Sequence, residues 1–245
     1  MIGGNKIRLE QTDSTNMYLL RLMETERPEE GTVISAGYQT AGRGAESNAW
    51  ESEAGKNLTF SFVLYPDFLA AEAQFTLNKF ISLGITDYLR NIVDKPVSIK
   101  WPNDIYIGNK KIAGILIQNG IQGNRFQFAV IGIGLNVNQD VFAGDAPNPV
   151  SIRMITGRSH DLDLVLDVLC GTIDKRYRQL INGEIPAIDR DYLGLLYRYG
   201  EKALYEINGK KVEARITGVS KYGRLQLEVP SQRIIECDMK EVVFI

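Results

Sequence analysis

The chain has 245 residues, with 28 Lys and Arg against 30 Asp and Glu, one His and two Cys. A net charge of −2 with 44% hydrophobic residues describes a globular protein of one large domain, with or without a small appendage, and argues against duplex DNA or an anionic membrane as an obligatory partner. His160 alone builds no His-ligated zinc site and leaves little room for a Ser-His-Asp triad, while Cys170 and Cys237 form no CxxC pair and read as buried thiols in a reducing compartment.

The first residues lack an apolar stretch behind a basic start, so no signal peptide is expected, and no apolar run reaches the roughly 18 residues of a membrane span. The expected location is the cytoplasm. Residues 6–11 predict a strand, and Asp13 or Ser14 then stands where a residue caps a helix carrying Met17, Leu20 and Met23. Residues 32–38 predict a second strand, 40–56 a Gly-rich loop and 58–65 a strongly apolar strand. Phe80, Ile81, Gly84, Ile85, Tyr88, Leu89 and Ile92 recur at helical spacing and predict an amphipathic helix over 75–91.

Three strands are expected next, at 97–101, 111–118 and 126–135, with 105–107 and 111 onward forming a hairpin about Gly108-Asn109. Beyond a Gly-, Asp- and Pro-rich loop at 139–149, Leu162, Leu166, Leu169, Ile173, Tyr177 and Leu180 trace one face of a second long helix that Gly183 and Pro186 end. Five short β-rich runs follow, at 203–207, 212–219, 225–229, 234–237 and 242–244, broken by Asn208-Gly209, Tyr222-Gly223 and Pro230-Ser231. That pattern predicts a small five-stranded barrel, giving domains 1–197 and 198–245.

Four segments carry chemistry. Asp13-Ser14-Thr15-Asn16 is either plain helix capping or a helix start that offers donors to a ligand carbonyl. Tyr38–Trp50 places Arg43 between Gly42 and Gly44, a loop able to wrap a phosphate though not a Walker A sequence. In KWPNDIYIGNKKIAGILIQ, from Lys100, the hairpin brings Lys111 to face Asp104. This is either a surface ion pair or a carboxylate and ammonium suited to Mg²⁺–nucleotide chemistry. In IGIGLNVN, from Ile131, Gly132 and Gly134 mark a strand bulge or a close approach of ligand or backbone.

Taken together, in this order and spacing, DSTN, YQTAGRG…W, KWPND…KKIAGIL and IGIGLNVN resemble the biotin protein ligases, and the resemblance runs through the whole chain. It implies an α+β fold: a mixed, mainly antiparallel sheet with helices, as in class II tRNA synthetases, plus a small C-terminal SH3-like barrel. It also implies a two-step reaction, with biotin activated by Mg·ATP to biotinoyl-5′-AMP and then transferred to a lysine of a biotin carboxyl carrier domain. Because the chain enters structure at once, the monofunctional class without a DNA-binding domain is expected. Family members include monomers and homodimers, and neither DNA nor a membrane is an expected partner.

Roles follow position by position from the same resemblance. Ser14, Thr15 and Gln39 match residues on the biotin ureido head, with Asn16, Gly44, Ala45 and the backbone at Gly114 beside them. Arg43 and Lys111 match the cations that reach the biotin carboxylate and the α-phosphate. Asp104 matches the metal-associated carboxylate, Asn103 assists at the phosphates, Trp50 closes over the adenine and Asn136 contacts it. The catalytic set is then Lys111, Arg43 and Asp104. The loop departs from the family pattern at Ala45-Glu46-Ser47, where a further basic or polar residue and another Gly are usual, and looser retention of the adenylate is the expectation. Lipoate ligases and octanoyltransferases of similar fold, and a non-catalytic biotin-sensing module, are the alternatives.

Overall fold

The computed structural model describes residues 1–44, 48–144 and 148–245, so Ala45, Glu46 and Ser47 lie outside the described residues. Alternating apolar segments form a seven-stranded sheet from β1 (Lys6–Thr12), β2 (Val33–Gln39), β3 (Leu58–Leu64), β4 (Val97–Lys100), β5 (Asp104–Ile107), β6 (Lys110–Gln122) and β7 (Arg125–Leu135). The spatial order is β1-β2-β3-β7-β6-β5-β4. Only β1 and β2 run parallel; that pairing needs a crossover, which α1 (Thr15–Thr25) supplies. The remaining neighbours are antiparallel, and the expected hairpin turns at Gly108, whose φ is +57°.

Strand alternation divides the sheet's two faces. Leu58, Phe60, Phe62 and Leu64 of β3 and Ile131, Ile133 and Leu135 of β7 enter the main core under α2 (Phe75–Arg90). On the opposite face, Leu19 of α1 covers Ile34, Val63 and Val130 in a small second cluster. Past that cluster the face is open, and the candidate site lies there.

The helices correct two expectations. α2 is buried almost all round rather than along one stripe, because the sheet covers one side and α4 (Leu162–Ile181) and α5 (Ile185–Leu195) cover the other. A Cβ on Gly84 would stand 2.7 Å from the Cα of Ile173, so this glycine sets how closely α2 and α4 approach. Gly183, with φ +78°, does end α4, but Pro186 occupies the first turn of α5, where a missing N–H costs nothing, and so begins a helix that the sequence pattern read only as a stop. A one-turn α3 (Ile152–Thr156), capped by the Ser151 hydroxyl accepting from the Met154 N–H at 3.2 Å, precedes α4.

The C-terminal strands fall as expected: β8 (Lys202–Ile207), β9 (Lys210–Val219), β10 (Leu225–Glu228), β11 (Ile234–Cys237) and β12 (Val242–Phe244), in the order β11-β10-β9-β8-β12 and all antiparallel. Asn208 and Gly209 both have positive φ, 49° and 76°, as a two-residue hairpin turn of matching twist requires. This sheet is tied to the larger one where Trp101 Nε1 donates to the Gly223 carbonyl at 2.8 Å.

Candidate active site

The floor of the site is a matter of register. Lys100, Asp104, Gly114, Gly134, Thr59 and Ala36 are successive cross-strand partners and form one row across β4, β5, β6, β7, β3 and β2. Leu116, Gly132, Ser61 and Ile34 form the next row on the same face. With Gly114, Gly132 and Gly134 in the middle, the floor has no side chains there. A Cβ at Gly134 would lie 2.2 Å from Cε2 of Trp50, one at Gly114 3.0 Å from its Cζ3, and one at Gly132 2.4 Å from Oδ1 of Asn16. These glycines therefore serve close approach. The β3–β7 ladder is regular through both Gly132 and Gly134, and the bulge between β6 and β7 lies instead at Gly120/Ile121.

Above the floor is a cavity of ≈ 330 Å³, a size suited to a small organic ligand. One end is neutral and hydrogen-bonding. Ser14 stands at the N-cap position of α1, yet its side chain makes no capping bond. The Thr15 N–H goes instead to Oε1 of Gln39 at 2.7 Å, and Asp13 Oδ1 takes the Ser14 N–H at 2.7 Å. The bidentate Arg21 guanidinium holds the Asp13 carboxyl well below the usual carboxylate range. The expectation that the DSTN segment caps its own helix is thus corrected: the cap comes from β2. Because the backbone N–H must meet an oxygen, the Gln39 amide is fixed with Nε2 as its outward donor, and the Ser14 hydroxyl has no partner among the described residues.

The other end is charged. Lys111 Nζ pairs with Asp104 Oδ1 at 2.7 Å, with side chains 23% and 20% exposed, and lies 5.8 Å from the Trp50 ring centroid. Two main-chain bonds anchor Lys111 to the following loop, its N–H to the Asn148 carbonyl and its carbonyl to the Val150 N–H, each at 2.9 Å. Asn103 Nδ2 donates to the Ile115 carbonyl at 2.8 Å, which holds the β4–β5 connection against β6. Arg43 and Ala49 bridge the Gly-rich loop, bringing Arg43 and Gly44 to the cavity wall.

Ser14, Thr15, Asn16, Gln39, Arg43, Gly44, Trp50, Asn103, Asp104, Lys111 and Gly114 all line this one cavity. Asn136 does not. It sits beyond Gly134, donating from Nδ2 to the Val150 carbonyl at 3.1 Å, and its Oδ1 is buried with no hydrogen-bond partner among the described residues. Trp50 Nε1 is likewise buried and unpartnered. Buried polar groups without a partner are rare and costly.

Sequence reasoning missed several residues here. Ser61, fully buried, and Gln118 extend the polar end; Thr59 and Ser61 at alternate positions of an otherwise apolar strand were the available signal. Lys100, half-buried, donates to the Tyr106 hydroxyl at 3.2 Å and lies 5.1 Å from the Phe244 ring centroid; burial lowers its pKa, opposed by the charge of Asp104. Met239, Val242, Val243 and Phe244 bring the second sheet to the cavity wall, and no local signal announced that contact.

Residues 9–136 match the model of the biotin/lipoate A/B protein ligase family. A biotin–[acetyl-CoA-carboxylase] ligase of Paracoccus denitrificans is 30% identical over 92% of this chain and 95% of its own length. The bifunctional ligase/repressor BirA of Bacillus spizizenii is 33% identical over 73% of this chain, and the match spans 55% of that relative's length. Among solved structures, a biotin protein ligase from Aquifex aeolicus in complex with biotin and ATP superposes with a TM-score of 0.81 at 26% identity, covering 98% of both chains.

Proposed function

This chain belongs to the biotin/lipoate A/B protein ligase family, and from that premise we propose that it activates biotin with ATP and transfers it to a lysine of a biotin carboxyl carrier domain, such as that of acetyl-CoA carboxylase. The observation that carries the reading is the single cavity with a neutral hydrogen-bonding end at Ser14, Thr15 and Gln39 and a cationic end at Arg43 and Lys111. A cyclic urea with a carboxylate tail is complementary to both ends at once.

Activation requires two anions to meet. A biotin carboxylate oxygen attacks the α-phosphorus, the bond to the bridging oxygen breaks, and pyrophosphate leaves. Arg43 and Lys111 offset the repulsion and the charge that develops on the phosphoryl oxygens. The carrier lysine, as the free amine, then attacks the acyl carbon, AMP leaves with the electrons of the acyl–oxygen bond, and the amine loses a proton. Asp104 faces Lys111, and in this reading it orients the incoming amine.

For magnesium the donor set fits a shared site. Asp104 is a carboxylate on the cavity wall, and the described residues hold no cluster of three acidic, His or Cys ligands, so a cation here would be held by Asp104 together with nucleotide phosphates. Bound there, Mg²⁺ neutralises phosphate charge. Oδ1 of Asn136 and Nε1 of Trp50, which have no partner among the described residues, suit the amine and ring of adenine. We divide the chain into a chemical unit at 1–197 and a wall-forming unit at 198–245. The reading calls on neither DNA nor a membrane, and no helix of the described residues is long and apolar enough to cross a bilayer.

Lipoate or octanoate is disfavoured on physical grounds. A dithiolane or alkyl head offers the polar end nothing to bond, leaving buried groups unmatched at roughly 1–3 kcal/mol each. Neither Cys170 nor Cys237 lines the cavity, so a thiol nucleophile is not at hand. The test is the intact mass of a biotin carrier domain after incubation with ATP, Mg²⁺ and biotin. One added biotinyl group is expected; octanoyl or lipoyl transfer, or no change, overturns the reading.

A further inference from the structure

A continuous chain of hydrogen bonds runs beneath the polar end of the cavity. Oε1 of Gln39 accepts from the Thr15 N–H at 2.7 Å and lies 3.1 Å from the Thr15 hydroxyl. The Ser61 hydroxyl, fully buried on β3, stands 2.7 Å from Thr15 Oγ1 and 2.6 Å from Asn16 Oδ1. Asn16 Nδ2 reaches Gln118 Oε1 at 2.9 Å and the Leu116 carbonyl at 3.4 Å.

Main-chain groups at the two ends fix the direction of the protons between them. The Leu116 carbonyl only accepts, so Nδ2 of Asn16 faces it and Oδ1 faces Ser61. An amide oxygen also only accepts, so Ser61 spends its one proton on Asn16. The 2.7 Å contact between Ser61 and Thr15 must then carry the Thr15 proton, since two hydroxyl oxygens that close need a proton between them, and Gln39 Oε1 at 3.1 Å is the longer alternative among the described residues. Ser61 thus takes the Thr15 proton, and the Thr15 oxygen presents lone pairs to the cavity. The Ser14 hydroxyl and Gln39 Nε2 remain to donate.

We propose that Ser61, supported from the far end by Gln118, is a positioning residue that holds Thr15 as an acceptor toward the substrate's head group. This rests on the reading of biotin as substrate, whose urea donates through N–H and accepts through C=O. In the same arrangement both amide protons of Asn16 are spent on Gln118 and Leu116, so Asn16 holds the chain together instead of donating to the ligand. Gly132 completes it by leaving room for the Asn16 amide.

The experiment compares the full chain with Ser61→Ala and Gln118→Ala, using biotin and MgATP as probes in pyrophosphate exchange and biotin titration calorimetry. Ser61→Ala is expected to raise the KM and Kd for biotin about tenfold, the factor that corresponds to ~1.4 kcal/mol. The KM for ATP and the rate at saturating biotin are expected to stay unchanged. Gln118→Ala, at the partly exposed end, shows the same split with a smaller rise, and it carries the test should Ser61→Ala fail to fold. An unchanged KM for biotin overturns the proposal, and so does a parallel rise for biotin and ATP, the signature of a generally loosened site. A parent protein that makes no adenylate from biotin overturns the substrate reading, and this inference with it.

Discussion

Lys111 Nζ and Asp104 Oδ1 stand 2.7 Å apart at the mouth of a hairpin whose turn lies four residues beyond Asp104. The pair gives the cavity a cation held in place before any anion arrives. A preorganised charge pays no reorganisation when negative charge builds up, and removing one such group typically costs about 10²–10³ in rate.

Lys111→Ala is therefore expected to slow biotin-dependent pyrophosphate exchange by a factor on the order of 10²–10³. Asp104→Asn keeps the Lys111 side chain and removes the carboxylate beside the incoming amine, so it should slow transfer to the carrier lysine more than it slows adenylation. Single-turnover measurement of the two steps separates these outcomes; equal loss in both steps for Asp104→Asn refutes the division of labour.

A methyl group at Gly134 would fall 2.2 Å from the Trp50 ring, too close to coexist with it. Gly134→Ala should expel the indole from the floor, with a shift in tryptophan emission and loss of adenylation. Only Trp50 and Trp101 contribute to that emission, so a Trp50→Phe background should abolish the spectral change. Gly114→Ala, with its methyl 3.0 Å from the same ring, should do the same more mildly.

The parts of the fold readable from sequence were those set by local pattern. The 104–111 hairpin carries its Gly-Asn turn, α4 its apolar stripe, and the last five strands their turn residues. α5 was hidden because Pro186 reads as a stop unless one knows that the next residues bury Ile188 and Tyr192 against α2 and α4. In the site, the motif residues were legible and their supports were not. Ser61 and Gln118 are ordinary polar residues in strands, and their importance comes from the register of Ser61 with Gly132, from the reach of Asn16 to both, and from the proton count, which no single segment contains.

Burial lowers the pKa of Lys100, and the charges of Lys111 and Arg198 push the same way while Asp104 opposes them. The unfolded chain therefore binds more protons than the folded one between the folded pKa and the ordinary lysine value of about 10.4. Stability from this group rises with pH across that window. Urea denaturation of the parent and Lys100→Met should show the parent gaining on the variant as pH rises toward the ordinary lysine value. A constant difference, or one that moves the other way, contradicts it.

Ala45 ends in a single methyl group, and looser retention of the adenylate is the expectation for a loop with that residue. Ala45→Arg is expected to slow release of biotinoyl-AMP, followed by filtration or by competition with unlabelled biotin; an unchanged off-rate sinks the idea.

The glycine-floored rows also set a length. Strands in a sheet lie about 4.8 Å apart, so the three steps from β3 through β7 and β6 to β5 span roughly 14 Å. Ser61, beneath the head-group site, stands at one end of that span, and Asp104 at the other. The backbone ladder thus fixes the separation between the support of the head-group end and the carboxylate that pairs with Lys111. That separation is a property of strand spacing, so substitutions that leave the backbone ladder in place leave it unchanged.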